Sequence, residues 1–355
     1  MINYSVPVDY NLKVRVLNRP EQLVWPAPNG KSLALQNSGF HQRTVGAGRS
    51  TDTHIHHPGD MLDRLKRILP SGMEKRLWHL KEDLIWSTRE ATWRFRPLPD
   101  FIIIGAQKSG TTSLFFYLSQ HPEIVPPLKK EIHYFDGGLK PNVDNYCKGE
   151  PWYRAHFPLK GNLAPGQIVF EASPLYLYNP LAPRRIFDLM PDVKMIVLLR
   201  NPINRAISQF NHNKRQGKEP LSLFEALKKE EARMRPAVEQ NDYKSDLFRR
   251  YSYKSRGLYK EQLERYFNHF SRDQLLILPS KVFFTQTRKT LRRIFDFVGV
   301  SEDFQVKDLT PRNVSHKNRN VPPAVYQYLD SFFKPHNQAL FDLLGEDLGL
   351  DVNVD

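Results

Sequence analysis

The stretch that most restricts the fold is Phe101-Ile-Ile-Ile-Gly105-Ala-Gln-Lys108-Ser109-Gly110-Thr111-Thr112-Ser113-Leu114. An apolar, β-branched run ends in glycine and passes through a hydroxyl-rich turn, after which Leu114, Tyr117 and Leu118 recur at helical spacing. This reads as strand, turn and helix. A turn at such a junction aims several backbone N–H groups and the positive helix end at one point, which suits a phosphate or sulfate group. The alternation continues downstream. Strands are expected at Ile168–Glu171, Lys194–Leu199 and Gln274–Leu278, and helices at about 203–215, 258–270 and 288–298, with Gly299 capping the last. Strands alternating with helices predict an α/β domain whose parallel sheet is covered on both faces.

Upstream the pattern differs. Residues 1–58 mix Pro, Gly, Asn, Ser and His with short apolar pieces and read as an irregular arm. His54, His56 and His57 have no cysteine or paired acids near them, so no metal site is expected there. Residues 59–98 read as an amphipathic helical extension: Leu62, Leu65, Ile68 and Leu69, then Met73, Leu77, Leu80 and Leu84, recur at helical spacing. Two helices packing on the main domain are expected, with Trp78, Trp86 and Trp93 as packing residues. Pro97 and Pro99 mark the boundary to the domain at 99–355.

Across 355 residues, 52 Lys and Arg stand against 38 Asp and Glu, a net charge of +14 that favours a polyanionic partner or substrate. Charge alone leaves nucleic acid, anionic membrane, anionic polysaccharide and nucleotides open. Cys147 is the one cysteine, which excludes an intrachain disulfide and a thiolate-rich metal site and favours a reducing compartment. Residues 1–20 do not read as a secretory signal, and the apolar runs fall far short of the roughly 20 residues of a spanning helix. A soluble, cytoplasmic protein without a transmembrane segment is expected.

A nucleoside-triphosphate loop, G-x-x-x-x-G-K-[ST], needs lysine directly after its second glycine. Here Thr111 follows Gly110, and Lys108 lies on the turn itself, nearer a shorter, monophosphate-like anion. ATP or GTP hydrolysis is disfavoured. The second informative segment, Met195–Leu199 followed by Arg200-Asn-Pro-Ile-Asn-Arg205-Ala-Ile-Ser208, is a buried strand delivering Arg200 at its carboxyl end, where open α/β sheets bind ligands. A helix from Pro202 sets Ser208 about two turns in, so that Arg200 and Ser208 can hold a second phosphate. In Lys130-Glu131-Ile132-His133-Tyr134-Phe135-Asp136, an extended backbone would put Glu131 and His133 on one face, ready for acid or base work.

On these residues the chain resembles the sulfotransferases that use 3′-phosphoadenosine 5′-phosphosulfate, particularly the branch with heparan sulfate sulfotransferase domains. The likeness covers about residues 99–345. It implies a P-loop-like three-layer α/β/α sulfotransferase domain with a central parallel sheet. Lys108 and the N–H groups of Ser109, Gly110, Thr111, Thr112 and Ser113 would hold the 5′-phosphosulfate, and Arg200 with Ser208 the 3′-phosphate. Lys317 and Arg319 match a basic segment that closes over the nucleotide, and Arg256-Gly257-Leu258-Tyr259 loosely matches a segment beside it. By resemblance Glu131 is the proton acceptor, His133 its companion, and Lys108 stabilises the leaving oxygen. The implied reaction moves a sulfuryl group to an acceptor hydroxyl, on an oligosaccharide or polysaccharide by preference, without metal and without specific nucleic acid, leaving adenosine 3′,5′-bisphosphate. Two departures stand out. Ala172 occupies the place where related carbohydrate enzymes often carry lysine, and one cysteine cannot form the disulfide of secreted relatives. The competing readings are a nucleotide-dependent kinase or NTPase and a noncatalytic polyanion-binding protein.

Overall fold

The computed structural model describes residues 73–140, 142–313 and 321–350, all within one compact unit spanning 69–355. The irregular arm and the first expected helix therefore lie outside the described residues, as do Lys317 and Arg319. In chain order the main elements are α1 (Met73–Ala91), β1 (Phe101–Gly105), α2 (Thr111–Leu118), β2 (Ile124–Val125), α3 (Gly149–Arg154), β3 (Ile168–Ala172), α4 (Ala182–Leu189) and β4 (Lys194–Leu199). They continue with α5 (Pro202–Arg215), α6 (Leu223–Lys228), α7 (Glu230–Glu239), α8 (Asp246–Tyr251), α9 (Tyr259–Phe267), β5 (Leu275–Pro279), α10 (Ser280–Thr285), α11 (Thr287–Val298) and α12 (Pro323–Leu344).

The strands form one sheet in the order β2-β3-β1-β4-β5, every neighbouring pair parallel, with Phe101 opposite both Phe170 and Lys194. The period of two sorts its side chains between two cores. Ile102, Ile104, Val197 and Leu199 join Tyr259, Leu263 and Leu340 on one face, whereas Phe101, Ile103, Ile196 and Leu198 join Leu114, Phe283 and Ile294 on the other. Each such side chain, fully buried, contributes about 1.5–3 kcal/mol. Both faces being covered explains why the strands read as continuous apolar runs. This is the three-layer α/β/α arrangement expected from the alternation.

The expected strands and the three expected helices of the domain are present, and Gly299 ends α11 in the left-handed conformation at φ 83°. One long helix escaped the pattern. Pro323 opens α12 at its first turn, where the missing N–H costs nothing, but Pro335 lies inside it. Read as breakers, these prolines hide the row Val325, Leu329 and Phe333, which packs against Ile203, Ile207 and Phe210 of α5.

The helical extension departs from expectation in one respect. α1 forms, but Trp78, Leu80 and Leu84 are 58%, 64% and 68% exposed, so this stretch does not pack as a buried face. Only its last turns dock. Arg89 donates through Nε and Nη2 to the carbonyls of Ala155 (2.6 Å) and Phe157 (2.7 Å), and Trp86 meets Trp152 and His156 edge-on or tilted. Trp93 is half-buried, with the Arg154 guanidinium 5.7 Å from its ring centre. Among the described residues no helix is long and apolar enough to cross a membrane.

Candidate active site

A cleft of about 1160 Å³ opens at the carboxyl ends of β1 and β4, lined by residues of the Gln107–Thr112 turn, Glu131, His133, Arg200 and the cleft side of α5. Eight lysines and arginines line it (Lys108, Arg200, Lys218, Arg249, Arg250, Arg256, Lys281 and Arg312) against two acids, Glu131 and Asp246. Such a donor set suits a ligand with several negative charges.

The turn is built for close approach. Lys108 and Gly110 both adopt left-handed backbone, φ 73° and 102°, and a Cβ on Gly110 would stand 2.7 Å from the Phe284 ring. The first N–H groups of α2 lack partners within the helix and lie at the cleft. Burial first, then the positive charges of Arg215, Arg200 and Arg205, push the Lys108 ammonium below its ordinary value. An anion placed here would relieve that repulsion.

The two segments expected to bind anions touch. Arg200, directly after β4, donates from Nη1 to the carbonyl of Lys108 at 3.0 Å, and Tyr259 donates to the carbonyl of Arg200 at 2.8 Å. Asn201 caps α5 by accepting from the Asn204 N–H at 2.9 Å. Ser208 is 1% exposed and does not line the cleft itself; Asn204 and His212, one turn to either side on the same helix, do. Ser113 is likewise buried behind the turn. Its hydroxyl accepts from the N–H of Arg312 (2.9 Å) and donates to the carbonyl of Arg312 (3.4 Å). Ser109, Gly110, Thr111 and Thr112 all border the cleft. Arg256, of the segment that loosely matches one beside the nucleotide, reaches the turn by donating from Nη1 to Gln107 Oε1.

The acid–base pair forms, but not through an extended strand. Glu131 and His133 take φ of 62° and 56°, and the segment carries no strand pairing. Two left-handed residues roll the backbone so that His133 Nε2 lies 3.5 Å from Glu131 Oε2, while Nδ1 lies 2.6 Å from Asp136 Oδ2. Lys130 Nζ pairs with the other oxygen of Glu131. Burial favours neutral Glu131, but the His133 hydrogen bond and the charge of Lys130 outweigh it and hold the carboxyl down to about 2. For His133 burial likewise opposes charge, yet Asp136, by charge and hydrogen bond, and Glu131 raise the imidazole to about 9. At neutral pH the arrangement is a carboxylate facing the cleft, backed by an imidazolium whose other nitrogen pairs with Asp136. Glu131, 40% exposed, can take a proton; His133 is already protonated.

Besides the cleft cations Lys218, Arg249, Arg250, Lys281 and Arg312, two contributors were not singled out from sequence. Asp136 stands three residues after His133, on the opposite side of any straight strand, and only the rolled backbone brings it to the ring. His212 borders the cleft, its imidazole held below the ordinary value by burial and then by Lys108, Arg215 and Lys218. Among the described residues no group of three His, Cys, Asp or Glu could hold a metal ion.

Known proteins share this architecture. A family model described as "Sulfotransferase domain" matches residues 98–336. A membrane-associated sulfotransferase, kil1, of Dictyostelium discoideum is 28% identical over 320 residues, covering 70% of this chain and 66% of that protein. Heparan sulfate glucosamine 3-O-sulfotransferase 6 of Mus musculus is 29% identical over 279 residues, covering 72% and 75% respectively. Among solved structures, a sulfotransferase from Alicyclobacillus acidocaldarius superposes with a TM-score of 0.56 at 33% identity, covering 71% of this chain and 98% of that one. The chain thus spans just under two thirds of the Dictyostelium protein's length.

Proposed function

Because the chain belongs to the sulfotransferase-domain family, we propose that it moves a sulfuryl group from 3′-phosphoadenosine 5′-phosphosulfate to a hydroxyl of a carbohydrate acceptor. The observation that carries this reading is the contact of Arg200 with the Lys108 carbonyl, which brings two anion-binding segments together beside an ionised Glu131. A ligand with phosphates at both ends of a nucleoside would engage both segments. The donor supplies an activated sulfuryl group and departs as adenosine 3′,5′-bisphosphate.

In this reading the chain's own groups divide the work. The Gln107–Thr112 turn and the start of α2 hold the 5′ end through backbone N–H groups, and Arg200 takes the 3′-phosphate, with Ser208 supporting the α5 wall behind it. Glu131 accepts the proton of the attacking hydroxyl, a contribution usually of about 10²–10⁴-fold. Lys108 neutralises charge on the oxygen that leaves sulfur, and fixed donors of this kind are typically worth about 3–4 kcal/mol each. Protonated His133 keeps Glu131 ionised and oriented. Lys317 and Arg319 are proposed to complete the nucleotide site from outside the described residues.

The carbohydrate acceptor draws support from the heparan sulfate enzyme among the relatives and from the basic cleft. The cytoplasmic location rests on the single cysteine, and fractionation of cells checks it. Titration calorimetry with adenosine 3′,5′-bisphosphate, then a transfer screen with labelled donor against sugars and simple alcohols, tests the rest. Lys108→Ala should lose nucleotide binding, and Glu131→Gln should bind it but transfer poorly. A wild-type protein giving no binding heat overturns the proposal.

A further inference from the structure

We propose that Glu171, a fully buried carboxylate outside the cleft, is a positioning residue that holds the left-handed turn carrying Glu131 and His133. The proposal rests on the sulfuryl-transfer reading above and explains how that site keeps its shape.

Glu171, the penultimate residue of β3, is 0% exposed, and among the described residues it joins no salt bridge. Burial pushes its carboxyl above the ordinary value, and three hydroxyls oppose that shift: Tyr153 donates to Oε2 at 2.5 Å, and Tyr176 and Ser173 donate to Oε1 at 2.6 and 2.7 Å. Such short O–H···O contacts favour the ionised carboxylate against the burial that opposes it. A carboxylate only accepts, so it fixes the direction of each hydroxyl. With their protons committed to Glu171, Tyr176 and Ser173 present lone pairs to the catalytic turn. Tyr176 Oη accepts from the N–H of Tyr134 (2.9 Å) and Phe135 (3.4 Å), and Ser173 Oγ accepts from the N–H of His133 (3.2 Å). Three consecutive backbone donors are thereby pinned by two hydroxyls under one carboxylate.

That restraint has something to oppose. Left-handed backbone is disfavoured for residues with a Cβ, and here Glu131 and His133 both adopt it. Released, the turn would relax toward extended backbone, separating His133 from Asp136 and moving Glu131 relative to Lys108. Tyr153 supplies an internal control, because its hydroxyl donates to Glu171 but accepts from none of the turn's described N–H groups.

The test compares wild type with Glu171→Gln, Tyr176→Phe and Tyr153→Phe, reading kcat, donor KM, adenosine 3′,5′-bisphosphate affinity and the NMR titration of the His133 imidazole. An amide at 171 leaves one oxygen and no charge for three hydroxyls, so the acceptor that Tyr176 and Ser173 share is weakened or lost. Glu171→Gln and Tyr176→Phe should lower kcat about 10- to 100-fold, as a misplaced catalytic group does, with nucleotide affinity within about twofold of wild type. In both, the His133 midpoint should fall toward the ordinary 6.5. Tyr153→Phe should change kcat least. Should Glu171→Gln fail to fold, Tyr176→Phe carries the same comparison. The proposal is overturned if folded Tyr176→Phe keeps wild-type kcat and His133 titration, if nucleotide affinity falls in step with kcat, or if Tyr153→Phe is as damaging as Tyr176→Phe. Absent nucleotide binding in wild type would sink the sulfuryl-transfer reading instead, and the His133 titration would still decide the role of Glu171.

Discussion

At the residue scale the site turns on which group carries the proton. His133 faces Asp136 at Nδ1 and Glu131 at Nε2, and its backbone carbonyl accepts from the Asn145 amide, so two carboxylates act on one ring. The imidazole is raised from 6.5 to about 9, which means that the protonated form stabilises the fold. Because the folded value lies above the unfolded one, that contribution is fully present below about pH 6.5 and is lost as pH rises through about 9. The melting temperature should therefore fall over this window in wild type and fall less in Asp136→Asn. Activity should follow the same group: loss of the imidazolium releases Glu131, giving kcat/KM an alkaline limb near pH 9 that Asp136→Asn moves toward 6.5. A limb that stays in place in the variant would remove His133 from the site's charge balance. Glu131 and His133 were legible in the sequence because both stand at odd positions of a short acidic and aromatic run. The inference reached the right pair through the wrong backbone. Period-two reasoning necessarily hid Asp136, since its odd offset of three from His133 puts it on the other strand face, and no spacing rule foresees two left-handed residues without glycine.

At the element scale, the strands and the first turn of α2 were readable because burial on both faces imposes apolar runs and the junction demands glycine and hydroxyls. The helices that close the site were harder. α6, α7 and α8 are short or weakly patterned, and α12 carries Pro335 in its interior. Yet α12 matters to the proposed nucleotide side, because Phe333 packs where the turn Ser255–Gly257 meets Pro202 at the start of α5. A Cβ built on Gly257 would lie 2.7 and 2.8 Å from two atoms of the Phe333 ring and 2.8 Å from Pro202 Cβ, with no strained backbone angle involved. Gly257→Ala is thus a clean overpacking test, expected to cost about 1–3 kcal/mol. Urea unfolding should show a lower midpoint with an unchanged slope. Because Arg256 next to it holds Gln107, nucleotide affinity should weaken as well. The companion variant Phe333→Leu, by making room for the added methyl, should restore part of both losses; a double variant no better than Gly257→Ala would mean that the contact with Pro202, rather than α12, sets the limit.

At the scale of the whole molecule, a net charge of +14 announces an anionic partner without locating it. The fold resolves the question by gathering eight cations around one cleft against two acids, with the Lys108 ammonium already pushed down by burial and by its positive neighbours. Like charges held together in the folded state oppose folding, so an anionic ligand should stabilise this protein by binding and by relieving that repulsion. At a hundredfold excess over its Kd, adenosine 3′,5′-bisphosphate should raise the unfolding free energy by about 2.7 kcal/mol. The dependence on salt separates a built pocket from a merely basic surface. Exposed charges are screened within about 10 Å at 0.1 M ionic strength, whereas partly buried ones are screened much less. Raising salt should therefore weaken the nucleotide effect only in part, while binding of an unrelated polyanion at the general surface fades. Lys108→Ala should remove most of the nucleotide's stabilisation and leave the response to the unrelated polyanion as it was. Thermal melts with each ligand across a salt series make the comparison, and parallel loss of both responses with salt would reassign the positive charge from a nucleotide pocket to the surface at large.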